Sequence, residues 1–256
     1  MTDIVSCDVD AGVAFVRMNR EEKHNAFHRE LSLAVSDTMD NLEEDENIRC
    51  IVLTGVGRAF SAGADMTEAL SSFESGGAGG GMAQAVVKVA TLKTPTIAAV
   101  NGYAFGGGAA LAISCDIRIA SEQASFRFPG ATYGLVVGGS QLPRIVGGPK
   151  AKELILTARV VEADEAERIG LVNQLVPHDQ LEDAAWKMAR EIAKQSPAAV
   201  RWSKAVIDAA TTVERGGALE IEANRSLRGS PDHMSRFREA TEQVAGTDAA
   251  SDEDVE

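Results

Sequence analysis

The chain predicts an α/β fold, and three observations carry that expectation. Short runs rich in Val, Ile and Leu alternate with segments whose apolar residues recur at helical spacing. Glycine-containing loops follow two of the strand-like runs, the place where α/β sheets commonly hold ligands. After about Gly148 the pattern is almost wholly helical, broken by Pro, Gly or polar residues.

Element by element, Ile4–Val9 and Val13–Met18 are β-rich runs parted by Asp10-Ala11-Gly12, a hairpin signal. Leu31, Val35, Met39 and Leu42 share one helical face, which places an amphipathic helix at about Phe27–Glu46. Ile48–Thr54 reads as a compact buried strand, and Thr96–Val100 as another. Between them Glu74–Met82 (ESGGAGGGM) is low in complexity and reads either as a flexible connector or as a lid over a site. Ala109–Ile113 reads as a buried helix behind a triple glycine. Further helices are expected at Ala151–Thr157, Ala163–Arg168, Leu181–Lys194, Ala198–Ala210, Gly217–Leu227 and Met234–Val244. The acidic end Gly246–Glu256 has no hydrophobic face and is expected to be unstructured.

Composition narrows the function classes. With 256 residues, 45% of them hydrophobic, the chain can bury a sizeable core. Its net charge of −13 argues against nucleic acid, because no basic patch would neutralise phosphates. Cys7, Cys50 and Cys115 are an odd, widely spaced set without a CxxC pair, as expected for reduced thiols in a cytoplasmic protein. No N-terminal apolar h-region and no apolar run of about 18 residues suggests export or a membrane span. GxGxxG and Walker-type loops are absent, which sets aside the ordinary dinucleotide and nucleotide readings.

Chemistry is expected at two loops, Phe60–Met66 and Gly102–Leu111, which leave strand ends about 40 residues apart and can converge on one ligand. Gly106-Gly107-Gly108 lets the backbone approach a ligand closely, and the helix behind it aims its positive dipole end at the same spot. One N–H from each loop would hold a carbonyl oxygen between them. No carboxylate, histidine, lysine or cysteine lies between Gly102 and Ser114, so any reagent must come from elsewhere.

The residues also carry a resemblance. Asn19–Ala26 (NREEKHNA), Arg58–Met66 (RAFSAGADM), Pro95–Gly108 (PTIAAVNGYAFGGG) and Cys115–Ala120 (CDIRIA) resemble the enoyl-CoA hydratase/isomerase (crotonase) superfamily. The likeness continues through Gly134–Gly148 and Ala166–Asn173 and spans about residues 4–245. It implies a crotonase-like spiral of ββα units over residues 1–195, a C-terminal helical trimerisation region over 196–245, and the acidic tail 246–256. It further implies a homotrimer or a dimer of trimers. The ligand would be an acyl-CoA thioester, with coenzyme A as part of the substrate and no separate cofactor. By position, the oxyanion donors fall on the backbone N–H groups of Ala64 and Gly107. The segment Lys23–Ala26, with Lys23, His24 and Ala26, and the backbone around Ala62 would take the coenzyme. Asp65, Met66 and Tyr103 would line the pantetheine and acyl path, and Pro129 would join the substrate-binding set.

The chain departs from the family where it matters most. Family hydratases place glutamates at the positions of Ala110 and Gly130, and family isomerases keep the second or use an aspartate near Gly138; all three positions lack a carboxylate here. Hydration needs a base for water and an acid for the α-carbon, each worth about 10²–10⁴ in rate. A standard two-glutamate hydratase is therefore disfavoured. Tyr133, Ser140, Gln141 and Arg127 lie in the segment that would face the acyl group. Tyr133 reads either as a proton donor or as a packing residue. Arg127 reads as a fork for a carboxylate or sulfonate, or as a solvated or paired charge. Glu68 reads as a base or as a residue on an exposed helix face. Asp116 is expected to act in a cap or turn. His24 and His28 at i, i+4 spacing, without a third ligand, do not make a metal site. Two functions stay open: an enzyme acting on a thioester enolate, and a non-catalytic acyl-CoA-binding protein.

Overall fold

The computed structural model describes residues 4–77, 81–211, 221–222 and 224–253. The chain opens with an antiparallel hairpin, β1 (Val5–Asp10) and β2 (Val13–Met18), turning at Ala11-Gly12. Helix α1 (Arg29–Glu44) follows and buries Leu31, Val35, Met39 and Leu42, the face its periodicity predicts. Its start lies two residues beyond the expected Phe27 because Phe27 is pulled into a strand-like bridge with Ala64.

From there the chain repeats one unit. β3 (Cys50–Gly55) is followed after a sharp turn by β4 (Ala59–Ser61) and by α2 (Met66–Glu74) and α3 (Met82–Thr91). β5 (Thr96–Val100), β6 (Tyr103–Phe105) and α4 (Gly107–Ser114) form the next turn; β7 (Ile117–Ser121) and β8 (Ser125–Arg127) begin a third. The first strand of each turn joins one sheet and the second joins another. The described residues thus form a six-stranded sheet ordered β1-β2-β3-β5-β7-β10 and a four-stranded sheet ordered β4-β6-β8-β9. β2, β3, β5 and β7 are parallel neighbours, as are β4, β6 and β8. This is the expected spiral of ββα units.

After β8 come a 3-10 turn (Ala131–Tyr133), α5 (Leu142–Val146), α6 (Gly148–Thr157), β9 (Val160–Glu162), α7 (Ala163–Arg168) and β10 (Gln174–Val176). α8 (Leu181–Ala193) covers one face of the large sheet, packing Leu181, Ala185, Ala189 and Ala193 against Val13, Phe15, Val52, Ile97 and Ile119. The other face meets α1, α3 and α4 in the main core. α4 is apolar on every side and buried from Gly108 to Ser114, as a helix enclosed by its neighbours must be. α9 (Pro197–Thr211) and α10 (Pro231–Glu253) close the described chain. Of the helix expected over 217–227, residues 221–222 and 224–227 are helical and the rest lies outside the described residues. The acidic end is a correction: it continues α10 as helix through Glu253 rather than being unstructured. An established helix adds each further residue cheaply, and the Ala residues there favour it. Among the described residues no helix is long and apolar enough to cross a membrane, and no group of ligating side chains suits a metal.

Candidate active site

Two loops meet at the N-terminal end of α4. On the first, the Phe27 N–H donates to Gly63 O (2.7 Å) and the Asp65 N–H to Phe27 O (2.9 Å), so residues 63–65 lie extended beside Phe27. In such parallel pairing the middle residue, Ala64, turns its own N–H away from the partner. On the second loop Gly106 takes φ +54° and ψ −118°, which glycine alone enters readily, and swings the chain into α4. Gly107 then begins the helix, where an N–H has no intrahelical acceptor. The loops nearly touch: a Cβ on Gly63 would stand 2.7 Å from Phe105 O and 3.2 Å from Gly107 N.

Several neighbouring amides are taken. Gly63 donates to Ser61 Oγ (3.1 Å), Asp65 to Phe27 O and Gly106 to Arg127 O (2.9 Å). No acceptor among the described residues takes the N–H of Ala64 or of Gly107. Two unclaimed donors on converging loops, with the positive end of α4 behind one of them, suit a carbonyl oxygen that gains negative charge. The Met82 side chain packs on Gly107, at 2.5 Å from a Cβ built there, and Pro129 lies against Gly106.

A second set of residues builds the approach. Asn25 is fully buried in a left-handed turn, φ +55°, which Asn tolerates better than most residues. Its Oδ1 accepts from Arg20 N–H (2.9 Å), and its Nδ2 donates to Val56 O (3.0 Å) and Ala59 O (2.8 Å). Ala62 N–H donates to His24 O (2.9 Å), tying the His24-Asn25 turn to the loop after β4. Arg20 Nη1 donates to both Ala26 O (2.9 Å) and Asp65 Oδ2 (2.8 Å). Asp65 also caps α2 by accepting from Glu68 N–H (3.2 Å). Burial pushes the Asp65 carboxyl up, but the Arg20 hydrogen bond and charge, with the cap, outweigh it and hold the group below its ordinary value.

Lys23, His24 and Ala62 are exposed around this mouth, and Ala26 is half-buried. Tyr103 is 41% exposed; its ring lies 5.5 Å from that of Phe105 and 6.3 Å, edge-on, from that of His24. Arg58 Nη2 sits 3.4 Å from His24 Nε2. Guanidinium only donates, so this contact needs the His24 Nε2 as acceptor. The mouth thus combines cations with exposed aromatic faces, in a chain whose net charge is −13.

The carboxylates near the loops have structural work. Glu68 accepts the Arg29 N–H at both oxygens (3.0 and 3.1 Å), at the start of α1. Asp116 Oδ2 accepts from Thr96 N–H (2.8 Å) and Lys204 Nζ (2.8 Å), which fits its expected place in a turn. Tyr133 packs among Met66, Phe73, Met234 and Phe237, with the Phe237 ring 6.1 Å away. A Cβ on Gly130 would stand 2.8 Å from both Leu135 O and Val137 N, so this loop has no room for a longer residue there. Residues 78–80 of the glycine-rich segment lie outside the described residues. Sequence reasoning missed Arg20, Asn25 and Met82 as site builders. The first two sit inside the NREEKHNA motif, which was the signal the sequence offered for them.

A model of the enoyl-CoA hydratase/isomerase family matches residues 8–246. The chain belongs to the enoyl-CoA hydratase/isomerase family. It is 37% identical over 246 residues to the short-chain-enoyl-CoA hydratase of Clostridium acetobutylicum, covering 92% of this chain and 94% of that one. It is also 37% identical to human enoyl-CoA hydratase domain-containing protein 2, mitochondrial, over 90% of this chain and 84% of the relative. Among solved structures, an enoyl-CoA hydratase/isomerase from Xanthobacter autotrophicus superposes with a TM-score of 0.84 at 30% identity, covering 98% and 99% of the two chains. A monofunctional enoyl-CoA isomerase from M. smegmatis superposes at 0.70 and 33% identity, over 88% and 99%.

Proposed function

We propose that this protein acts on an acyl-CoA thioester by stabilising its enolate or oxyanion with the backbone N–H groups of Ala64 and Gly107. The observation that carries this reading is the pair of amides, Ala64 and Gly107, that find no acceptor among the described residues and that converging loops bring together. Such donors cost nothing to reorganise when charge develops, and removing one costs about 10²–10³ in rate. The mouth of Lys23, His24, Ala26 and Ala62 receives the adenine and neighbouring parts of the coenzyme, with the Lys23 cation meeting phosphates, and Tyr103 lines the pantetheine and acyl path. Asp65 and Met66 shape the path from there, Asp65 as the clamp on Arg20, and Pro129 backs Gly106. Coenzyme A enters with the substrate, and no separate cofactor is needed.

Ala110 and Gly130, where family hydratases carry glutamates, direct the chemistry away from simple hydration. Reactions in which the substrate supplies its own electron pair fit better. Loss of CO₂ from a carboxylate on the α-carbon is one: the C–C bonding pair moves onto the thioester and needs no base. The resulting enolate takes a proton at the α-carbon from water. Thioester hydrolysis, dehalogenation and C–C cleavage also fit better than simple hydration, with water or a substrate group as the nucleophile or base. The test is turnover of a thioester panel. Substrates with a built-in leaving group should react at least 10²-fold faster than crotonyl-CoA is hydrated. Rapid hydration of crotonyl-CoA, or binding with no turnover of any member, would overturn the reading.

A non-catalytic acyl-CoA-binding protein is the second reading, favoured by the commitment of Asp65 and Glu68 to structural bonds. In either case lipid metabolism is the setting, and the cytoplasm is the proposed location. Assembly as a trimer or dimer of trimers is proposed too. Trp202, Val206 and Ile207 of α9 expose apolar surface that a neighbouring copy would cover.

A further inference from the structure

From the cavity between β8, the Ala131–Tyr133 turn and α10 we infer a second ligand site, a pocket for a small oxyanion, carboxylate or phosphate, bound by Arg127, Thr132 and Tyr133. Phe126 and Phe128 are fully buried on one side of the strand, so Arg127 between them points to the other. There it lines a cavity of about 440 Å³ with Thr132, Tyr133, Arg236 and Glu239. Arg127 Nε donates to Ala158 O (2.8 Å), which fixes the plane of the guanidinium. Its two terminal nitrogens have no acceptor among the described residues, and neither do the hydroxyls of Thr132 and Tyr133. Tyr133 is itself held by the Phe237 ring. A fixed fork with two free terminal NH₂ groups and two free hydroxyls beside it is the arrangement that planar or tetrahedral oxyanions select.

Charge agrees with this occupant. The Arg127 guanidinium, its terminal nitrogens unclaimed among the described residues, brings positive charge to the pocket in a chain of net charge −13. The site is distinct from the Ala64 and Gly107 amides but joined to them by backbone: Arg127 O accepts the Gly106 N–H. It does not rest on the thioester reading, and its failure would leave that reading standing.

Isothermal titration of the full-length protein with inorganic phosphate and, separately, with glutarate tests the proposal. One saturable site per chain is expected for at least one of them, weakened by added NaCl. Preference for phosphate assigns a free or esterified phosphate, and preference for glutarate assigns an organic acid. Arg127→Gln should weaken binding about tenfold or more, and Tyr133→Phe severalfold. If Arg127→Gln fails to fold, the double variant Thr132→Val/Tyr133→Phe, which keeps the partly buried ring, should weaken binding at least fivefold. Absence of saturable binding for both anions, or an affinity unchanged by these substitutions, would overturn the site.

Discussion

Asp65 shows how one side chain serves the site without touching chemistry. It caps α2 and pairs with Arg20, which in turn holds Ala26, so the loop after β4 and the Arg20–Ala26 turn are clamped together at one carboxylate. Asp65→Asn should cost about 1–2 kcal/mol in urea unfolding, from the lost charge on a partly buried pair and a weaker cap. Because the folded carboxyl titrates below its unfolded value, its contribution is full above the ordinary aspartate range and is lost as pH falls through the depressed folded value. The acid limb of wild-type stability should therefore be steeper than that of Asp65→Asn; equal limbs would remove the clamp. The cysteines give an independent check. Burial pushes Cys50 and Cys115 up to about 12, while Cys7 is exposed. A thiol reagent at pH 8 should label one cysteine in the native protein and all three in denaturant.

α4 is the element on which the site depends, and its packing separates two adjacent glycines. A Cβ on Gly108 would collide with the carbonyl of Ser61, part of the rigid β4, whereas one on Gly107 meets the flexible side chain of Met82. Gly108→Ala should therefore destabilise more than Gly107→Ala, by at least about 1 kcal/mol in thermal or urea unfolding. The reverse order would mean that β4 yields more easily than its sheet pairing suggests. α4 and Thr96–Val100 were legible in the chain because continuous apolar runs bounded by Gly, Pro or Asn leave little freedom. The start of α1 was not, since Phe27 is drawn out of the helix by Gly63 and Asp65, residues far along the chain. Likewise the reach of α10 into the acidic end depends on a helix nucleated upstream, at Pro231 to Phe237, where Phe237 docks on Phe73. The proposed backbone donors Ala64 and Gly107 follow from motifs, whereas the fates of Glu68 and Tyr133 depended on long-range partners, Arg29 and Phe237, that periodicity does not reveal.

Across the molecule, the spiral gives each strand end to one side, so successive loops accumulate at one place while the large sheet is sealed by α8. The exposed Trp202 and Val206 lie one turn apart on α9. If they form the contact between copies, Trp202→Glu should lower the assembled mass in light scattering; an unchanged mass would move the contact elsewhere. The thioester chemistry itself is tested most directly by decarboxylation. Malonyl-CoA incubated with the protein in deuterated water should lose CO₂ and give α-deuterated acetyl-CoA faster than in buffer, followed by NMR. Gly107→Pro, which removes one N–H while keeping a residue tolerated at the first helical position, should slow that reaction about 10²–10³-fold. Binding of malonyl-CoA with no loss of CO₂ above the buffer rate, or a reaction indifferent to Gly107→Pro, would contradict enolate stabilisation at Ala64 and Gly107.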